Sequence, residues 1–183
     1  MTPMLGIMAS QISGHLFAPA GAYDSLATVT LSASTASVTF AGIPADYKHL
    51  QIRGILNISG GDTEAKLTFN SDSTAANYAT HQIVGDGATV TATGAASSGF
   101  IKTGITNSTA NIYGGMVTDI LDYANTSKYK TVRTLAGVDL NGNGNMRFAS
   151  GFYASTSAVT SITLTASSGN FITYTSFALY GVK

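Results

Sequence analysis

Leu26-Ala27-Thr28-Val29-Thr30-Leu31, followed by Ser37-Val38-Thr39-Phe40, decides how this chain folds. Apolar and hydroxyl-bearing side chains alternate, so each stretch turns one face to a core and the other to water. The intervening residues 32–36 read as a turn, which makes the pair a candidate hairpin. The alternation recurs downstream. Gly42-Ile43-Pro44-Ala45-Asp46 is a turn, because Pro44 fixes its own backbone and restricts Ile43. Segment 49–58 then sets Leu50, Ile52, Gly54 and Leu56 against Gln51, Arg53, Ile55 and Asn57. Apolar residues on both of its faces predict a central strand.

Segments 65–70, 78–84, 100–105, 131–140, 146–153, 159–165 and 174–182 continue the series. Segment 112–123 is ambiguous. Met116, Val117, Ile120 and Leu121 suit an amphipathic helix, whereas Asn111, Gly114 and Gly115 favour a plain or bulged strand. Residues 85–99 are rich in Gly, Ala, Ser and Thr and are expected to form a long partner-facing loop. About ten strands with regularly spaced turn signals predict an all-β fold. The expected architecture is an antiparallel β-sandwich of jelly-roll type, occupying residues 23–183 as one domain.

Residues 1–22 have a different character. They carry no Asp, Glu, Lys or Arg, yet they hold Met4, Leu5, Ile7, Met8, Ile12, Leu16 and Phe17. Gly6, Gly14, Pro19 and Gly21 interrupt the run, and a membrane-spanning helix needs about 20 predominantly apolar residues in succession. A secretion signal would begin with positive charge, but the first Lys is Lys48. The segment therefore reads as an extended apolar N-terminal arm for contact between subunits, with those seven side chains as its partner-binding residues.

Composition points the same way. Ala (25), Thr (25), Ser (20) and Gly (20) make up 90 of 183 residues, and charged residues are only 10% against about 25% in ordinary domains. Nine acids balance nine bases. A neutral surface lacks the basic face that phosphate neutralisation requires, so no nucleic-acid partner is expected. The basic cluster Lys128, Lys130 and Arg133 has Asp119 and Asp122 close upstream. Near-zero net charge suits a protein packed against copies of itself or others. The chain has no Cys, which excludes disulfides and thiolate metal sites. It also lacks Trp, although nine Tyr remain for stacking on sugars.

Asp139-Leu140-Asn141-Gly142-Asn143-Gly144-Asn145 places oxygen-bearing side chains at alternate positions, as a calcium loop does. Asp139, Asn141, Asn143 and Asn145 are thus a candidate calcium set. The set is incomplete, because Ser150 stands where a bidentate Glu is needed, and a second acid such as Asp86 would have to join it. The competing reading is a hairpin turn, since Asn-Gly is the strongest short hairpin signal.

His15, His49 and His81 show no metal-helix spacing, and no Gly-x-Ser-x-Gly elbow is present. His49 is expected to be structural, and His81 is the best of the three for a surface contact. Glu64 is the sole Glu, and Asp119 and Asp122 would point to opposite faces of a strand. The sequons at Asn57, Asn107 and Asn125 are about as many as so much Ser and Thr gives by chance. No enzymatic activity, cofactor, small-molecule substrate or membrane partner is expected.

Several stretches resemble small virion structural proteins of tailed phages, common in cyanobacterial and marine phages. They are Leu5-Gly6-Ile7-Met8-Ala9-Ser10-Gln11-Ile12-Ser13-Gly14-His15-Leu16, Tyr23-Asp24-Ser25-Leu26-Ala27, Ile43-Pro44, and Tyr47-Lys48-His49-Leu50-Gln51-Ile52-Arg53. Asp119-Ile120-Leu121-Asp122-Tyr123-Ala124-Asn125, Lys128-Tyr129-Lys130-Thr131 and the closing Ser176-Phe177-Ala178-Leu179-Tyr180-Gly181-Val182-Lys183 share the likeness. The resemblance implies a virion location and a jelly-roll cement or decoration protein bound between major capsid subunits. It also implies partners in the major capsid protein and in copies of the chain, with a homotrimer expected. The alternative is a tail or head-fibre subunit binding a host glycan through residues 85–99 and 139–145. The likeness carries no catalytic residues.

Overall fold

The structure is a computed structural model, and it describes residues 21–60 and 64–183. The arm residues Met4, Leu5, Ile7, Met8, Ile12, Leu16 and Phe17, and His15 with them, lie outside the described residues.

Among the described residues, twelve strands form two antiparallel sheets. In chain order they are β1 (Tyr23–Thr30), β2 (Ser37–Ala41), β3 (His49–Leu56), β4 (Glu64–Phe69), β5 (Tyr78–Gly85) and β6 (Val90–Ala96). Then come β7 (Ile101–Ile105), β8 (Gly114–Leu121), β9 (Lys130–Asp139), β10 (Gly144–Tyr153), β11 (Ser161–Ala166) and β12 (Ser176–Val182). The larger sheet has the order β1-β12-β3-β8-β9-β10-β5-β6 and the smaller β2-β11-β4-β7.

Eight of these strands form a nested set. β1 pairs with β12, β2 with β11, β3 with β8 and β4 with β7, each pair lying inside the last in sequence. Successive members alternate between sheets. This is the jelly-roll arrangement of two Greek keys. It corrects one local expectation: segments 26–31 and 37–40 are not a hairpin, because β1 and β2 lie in different sheets and each pairs with a strand far along the chain. Alternation gives a strand's faces, but it does not name its neighbour.

The core forms where the inner faces meet. Leu50, Ile52 and Leu56 of β3, Leu67 and Phe69 of β4, Ile162 and Leu164 of β11, and Phe177 and Leu179 of β12 are all buried. The Phe171 and Phe177 rings meet edge to face at 5.2 Å, a favoured aromatic geometry. β3 is central, between β12 and β8, as its two apolar faces predict. Segment 112–123 resolves as strand β8, with Met116, Thr118 and Ile120 inward and Gly115 and Val117 outward. Alternate burial there excludes the helix.

The remaining four strands are two inserted hairpins. β5–β6 enters between β4 and β7, and β9–β10 enters between β8 and β11. They join each other through β10 and β5, and so carry the larger sheet on past β8. Residues 85–99 are therefore not a loop. Asp86 caps a tight turn by accepting N–H bonds from Ala88 (2.9 Å) and Thr89 (2.6 Å), and β6 returns beside β5. Ala, Gly and Thr in β6 disguise a strand, because small side chains give little alternation to read.

His49 has the structural role expected of it: its Nδ1 accepts the Asp122 N–H at 2.9 Å and secures the turn after β8. In the turn after β4, Asp72 Oδ2 accepts bonds from Asn77 (2.7 Å) and Tyr153 (3.1 Å), and Oδ1 accepts the Thr74 N–H at 2.8 Å. The Asn77 bond leads these donors in holding the Asp72 carboxyl down to about 2.

Phe177 is fully buried between the sheets. Phe177→Ala is expected to lower unfolding stability by about 3–5 kcal/mol through the cavity it leaves. A urea titration reads this directly, and a loss under about 1 kcal/mol would mean that the site collapses freely.

Candidate interaction surface

Strand β10 of the inserted hairpins carries large apolar side chains on its outer face. The inward residues are Arg147, Ala149, Gly151 and Tyr153, while Met146, Phe148 and Phe152 point outward and are exposed. At one inner position β7 presses closely on β10, and a Cβ at Gly151 would stand 2.3 Å from Ile101 Cγ2. Gly151 leaves room for Ile101 there.

One ion-paired group fixes β10 to the smaller sheet. Arg147 reaches from β10 to pair with Glu64 of β4, and it donates a second bond to the Gly104 carbonyl at 3.1 Å. Lys102 of β7 approaches the same carboxylate at 3.0 Å. The Arg147 side chain is 3% exposed and Glu64 is 15%, so the pair is screened little by solvent. Thus β4, β7 and β10 converge on one carboxylate, and the sole Glu of the chain is structural.

The register sets the outward residues in rows. One row runs Val117, Leu135, Phe148, Ile83, Ala92 across β8, β9, β10, β5 and β6. The next runs Ile55, Gly115, Gly137, Met146, Gly85, Val90 from β3 to β6. None of these positions is charged. Their large side chains range from 38% exposed at Val117 to 74% at Val90. A Cβ placed on Gly115 would meet nothing within 4 Å, so the second row contains a trough. This groove, about 370 Å³, lies between Val117, Leu135 and Met146.

Polar residues bound the face on one side. The neighbouring row is Gln51, Asp119, Arg133, Ser150, His81. Gln51 Nε2 donates to Asp119 at 2.8 Å, and Arg53 Nε donates to Gln51 at 2.8 Å. The Arg53 guanidinium also lies over the rings of Tyr23 (5.1 Å) and Tyr180 (4.9 Å). His81 sits at the border, beside Phe148 and Ile83. The smaller sheet is unlike this. Its outward residues include Thr39, Lys66, Thr68, Thr163 and Thr165, and the Thr39 and Thr163 hydroxyls bond at 2.9 Å. One sandwich therefore carries a wet outer face and an apolar one. Monomeric soluble proteins keep contiguous apolar patches small, and larger ones mark interaction sites.

The Asp139–Asn145 motif falls at the β9–β10 turn. Leu140 N–H bonds to the Asn143 carbonyl at 2.6 Å, and Asn141 (φ 60°) and Gly142 (φ 103°) are both left-handed. That is the Asn-Gly hairpin turn of type I′. The Asp139 carboxylate is engaged in it, accepting the Asn141 N–H at 2.7 Å. Asp86 does arrive nearby, across a cleft of about 700 Å³ that Asp139, Asn143 and Asn145 also line. Its carboxylate serves its own turn, whose backbone bonds, that from Thr89 foremost, hold it down to about 2. Among the described residues, no three His, Asp or Glu side chains gather as a metal site would need.

The basic trio of the sequence is scattered. Lys128 pairs with Asp122 and Arg133 faces outward on β9, whereas Lys130 is fully buried. Lys130 Nζ donates to the carbonyls of Asn125, Lys128 (3.1 Å) and Thr156 (3.3 Å). Burial pushes its ammonium pKa down. No helix of the described residues is long and apolar enough to cross a membrane.

The outward apolar rows are what reading by sequence alone missed. The available signal was Met146-Arg147-Phe148-Ala149-Ser150-Gly151-Phe152, in which the bulky apolar residues share one parity and Arg147, Ala149 and Gly151 the other. Recognising their direction required knowing that β7 covers the second set.

No protein-family model, curated protein or solved structure matches the chain.

Breaking a buried pair strands the surviving charge. Glu64→Gln should lower stability by about 3–5 kcal/mol, and adding Arg147→Met should recover part of that loss. Urea unfolding of both variants checks this. Equal stabilities of Glu64→Gln and the parent would show that the ion pair does not hold β10 in place.

Proposed function

We propose that the chain is a structural protein of a tailed-phage virion, a capsid cement or decoration protein that binds between major capsid subunits and stabilises the shell. The observation that carries this reading is the pair of uncharged apolar rows on the outer face of the larger sheet from β8 to β6. A freely dissolved protein gains nothing from such a face, whereas a shell component buries it. The sequence resemblance and the jelly-roll order agree with it. So does a composition with 10% charged residues and zero net charge, which leaves little repulsion between packed copies. The uncharged arm, with Met4 to Phe17 as its contact residues, supplies a second adhesive element. A closed cyclic oligomer, a homotrimer, would present three faces and three arms.

One feature favours a second reading, a tail or head-fibre subunit that binds a host glycan. The cleft between the β5–β6 and β9–β10 turns joins Tyr113 to Asp86, Asp139 and Asn143. An aromatic ring beside hydrogen-bonding groups is the chemistry that sugar binding uses. The Tyr113 hydroxyl is already engaged, however, donating to the Thr173 carbonyl at 2.8 Å.

Mixing purified protein with undecorated capsids and imaging by cryo-microscopy decides between them. Cement gives ordered density across the shell at local symmetry axes. Density confined to the tail or to one vertex would overturn it in favour of the fibre reading. Removal of residues 1–18 is expected to leave a folded body that no longer decorates, and normal occupancy by that truncated protein would exclude the arm from docking.

A further inference from the structure

We infer that the apolar outer face built by the two inserted hairpins is the receptor for the N-terminal arm of a second copy of this chain. This rests on the reading of the chain as an assembly subunit, but not on the identity of the shell. The arm and the face match in chemistry. Residues 1–22 hold no Asp, Glu, Lys or Arg, and neither do the two outward rows from β8 to β6. The face also has relief to receive side chains. The Gly115 trough of about 370 Å³ runs beside Leu135 and Met146, and a second groove of about 490 Å³ lies between Phe148, Ile83 and His81. Large, flexible apolar side chains such as Met8, Leu16 and Phe17 fit such depressions without leaving a polar group unpaired.

Length permits the reach. The twenty residues before Gly21 can span up to about 66–72 Å at ~3.3–3.6 Å each. Neighbouring strands lie about 4.8 Å apart, so the grooves are only a few strands away from any subunit edge.

Position favours a neighbour over the same chain. The arm leaves from β1, at the edge of the sheet opposite β6. Tyr23 pairs with Val182 at one end of the strands, whereas the trough row crosses β12 near Ser176 at the other. The Tyr23–Arg53–Tyr180 stack and the Gln51–Asp119–Arg133 row stand between. An uncharged arm folding back would have to cover these polar groups, while an arm from a neighbour enters from the open side at β6. Arm into face is a head-to-tail contact, and such contacts close into rings when the rotation allows.

The chain has no Cys, so single introduced thiols report contacts without background. Full-length Leu16→Cys, carrying an affinity tag, is mixed with untagged full-length Leu135→Cys under mild oxidation. Tagged–untagged cross-linked dimers are then counted by mass spectrometry. Leu135 is a half-exposed surface residue, so the fold tolerates the change. The expected result is a mixed dimer at least tenfold more abundant than with Thr163→Cys on the polar sheet as the partner. Adding Phe148→Glu to the Leu135→Cys chain should abolish it. Equal yields with Thr163→Cys would overturn the proposal. So would a predominant Leu135–Leu135 dimer, which would mean that two faces pack together. A Leu16→Cys/Leu135→Cys double variant that closes only on itself would also overturn it, by placing the arm on its own chain. The assay contains no capsid, so failure to decorate shells would count against the cement reading and leave this result standing.

Discussion

The ladder between β8 and β9 is the contact on which the shape of this molecule depends. Without it, the nested pairs would close as two four-stranded sheets, each covering the other. With it, Thr118 stands beside Thr134 and Val117 beside Leu135, and the larger sheet runs on through β10, β5 and β6. The inner side of that extension is partly satisfied by β7, through Ile101 on Gly151 and through the Arg147–Glu64–Lys102 group. Among the described residues, its outer side has no such cover. A sheet of eight strands facing one of four leaves apolar area that one sandwich cannot bury.

The chemistry of the two outer faces follows from this. Threonines on the smaller sheet hydrogen-bond across strands and meet water, as Thr39 and Thr163 do. On the larger sheet Phe148 and Met146 of β10 point outward, on the face opposite Arg147, Ala149 and Gly151. With no charge on either rows or arm, little electrostatic repulsion opposes contact between copies. The buried Lys130, held by three carbonyls, and Asp72 each fix a loop.

The sandwich was legible because period two survives in most of its strands. Leu50, Ile52 and Leu56, and again Phe177 and Leu179, fall on inner faces as their alternation requires. Pairing was less legible. β1 and β2 look like a hairpin locally, yet the nested closure sends them to β12 and β11. β6 was hidden because Val90 to Ala96 offers Thr, Ala and Gly in place of a large–small contrast. Asn141-Gly142 announced its turn correctly, since left-handed backbone at both positions leaves few other residues acceptable. The apolar face was invisible because hydrophobic residues are read as inward by default. The Ile101–Gly151 contact and the Arg147–Glu64 pair, each between residues far apart in sequence, set the inner side of β10.

If the face formed by the inserted hairpins is covered in the working state of the protein, sedimentation velocity over a wide concentration range will report it, with full-length protein beside full-length Leu135→Glu. A discrete oligomer is expected for the parent chain, and for the variant a monomer that still unfolds cooperatively, with a melting temperature lowered only by the lost association. A parent chain that sediments as an 18.7 kDa monomer at every concentration would contradict it.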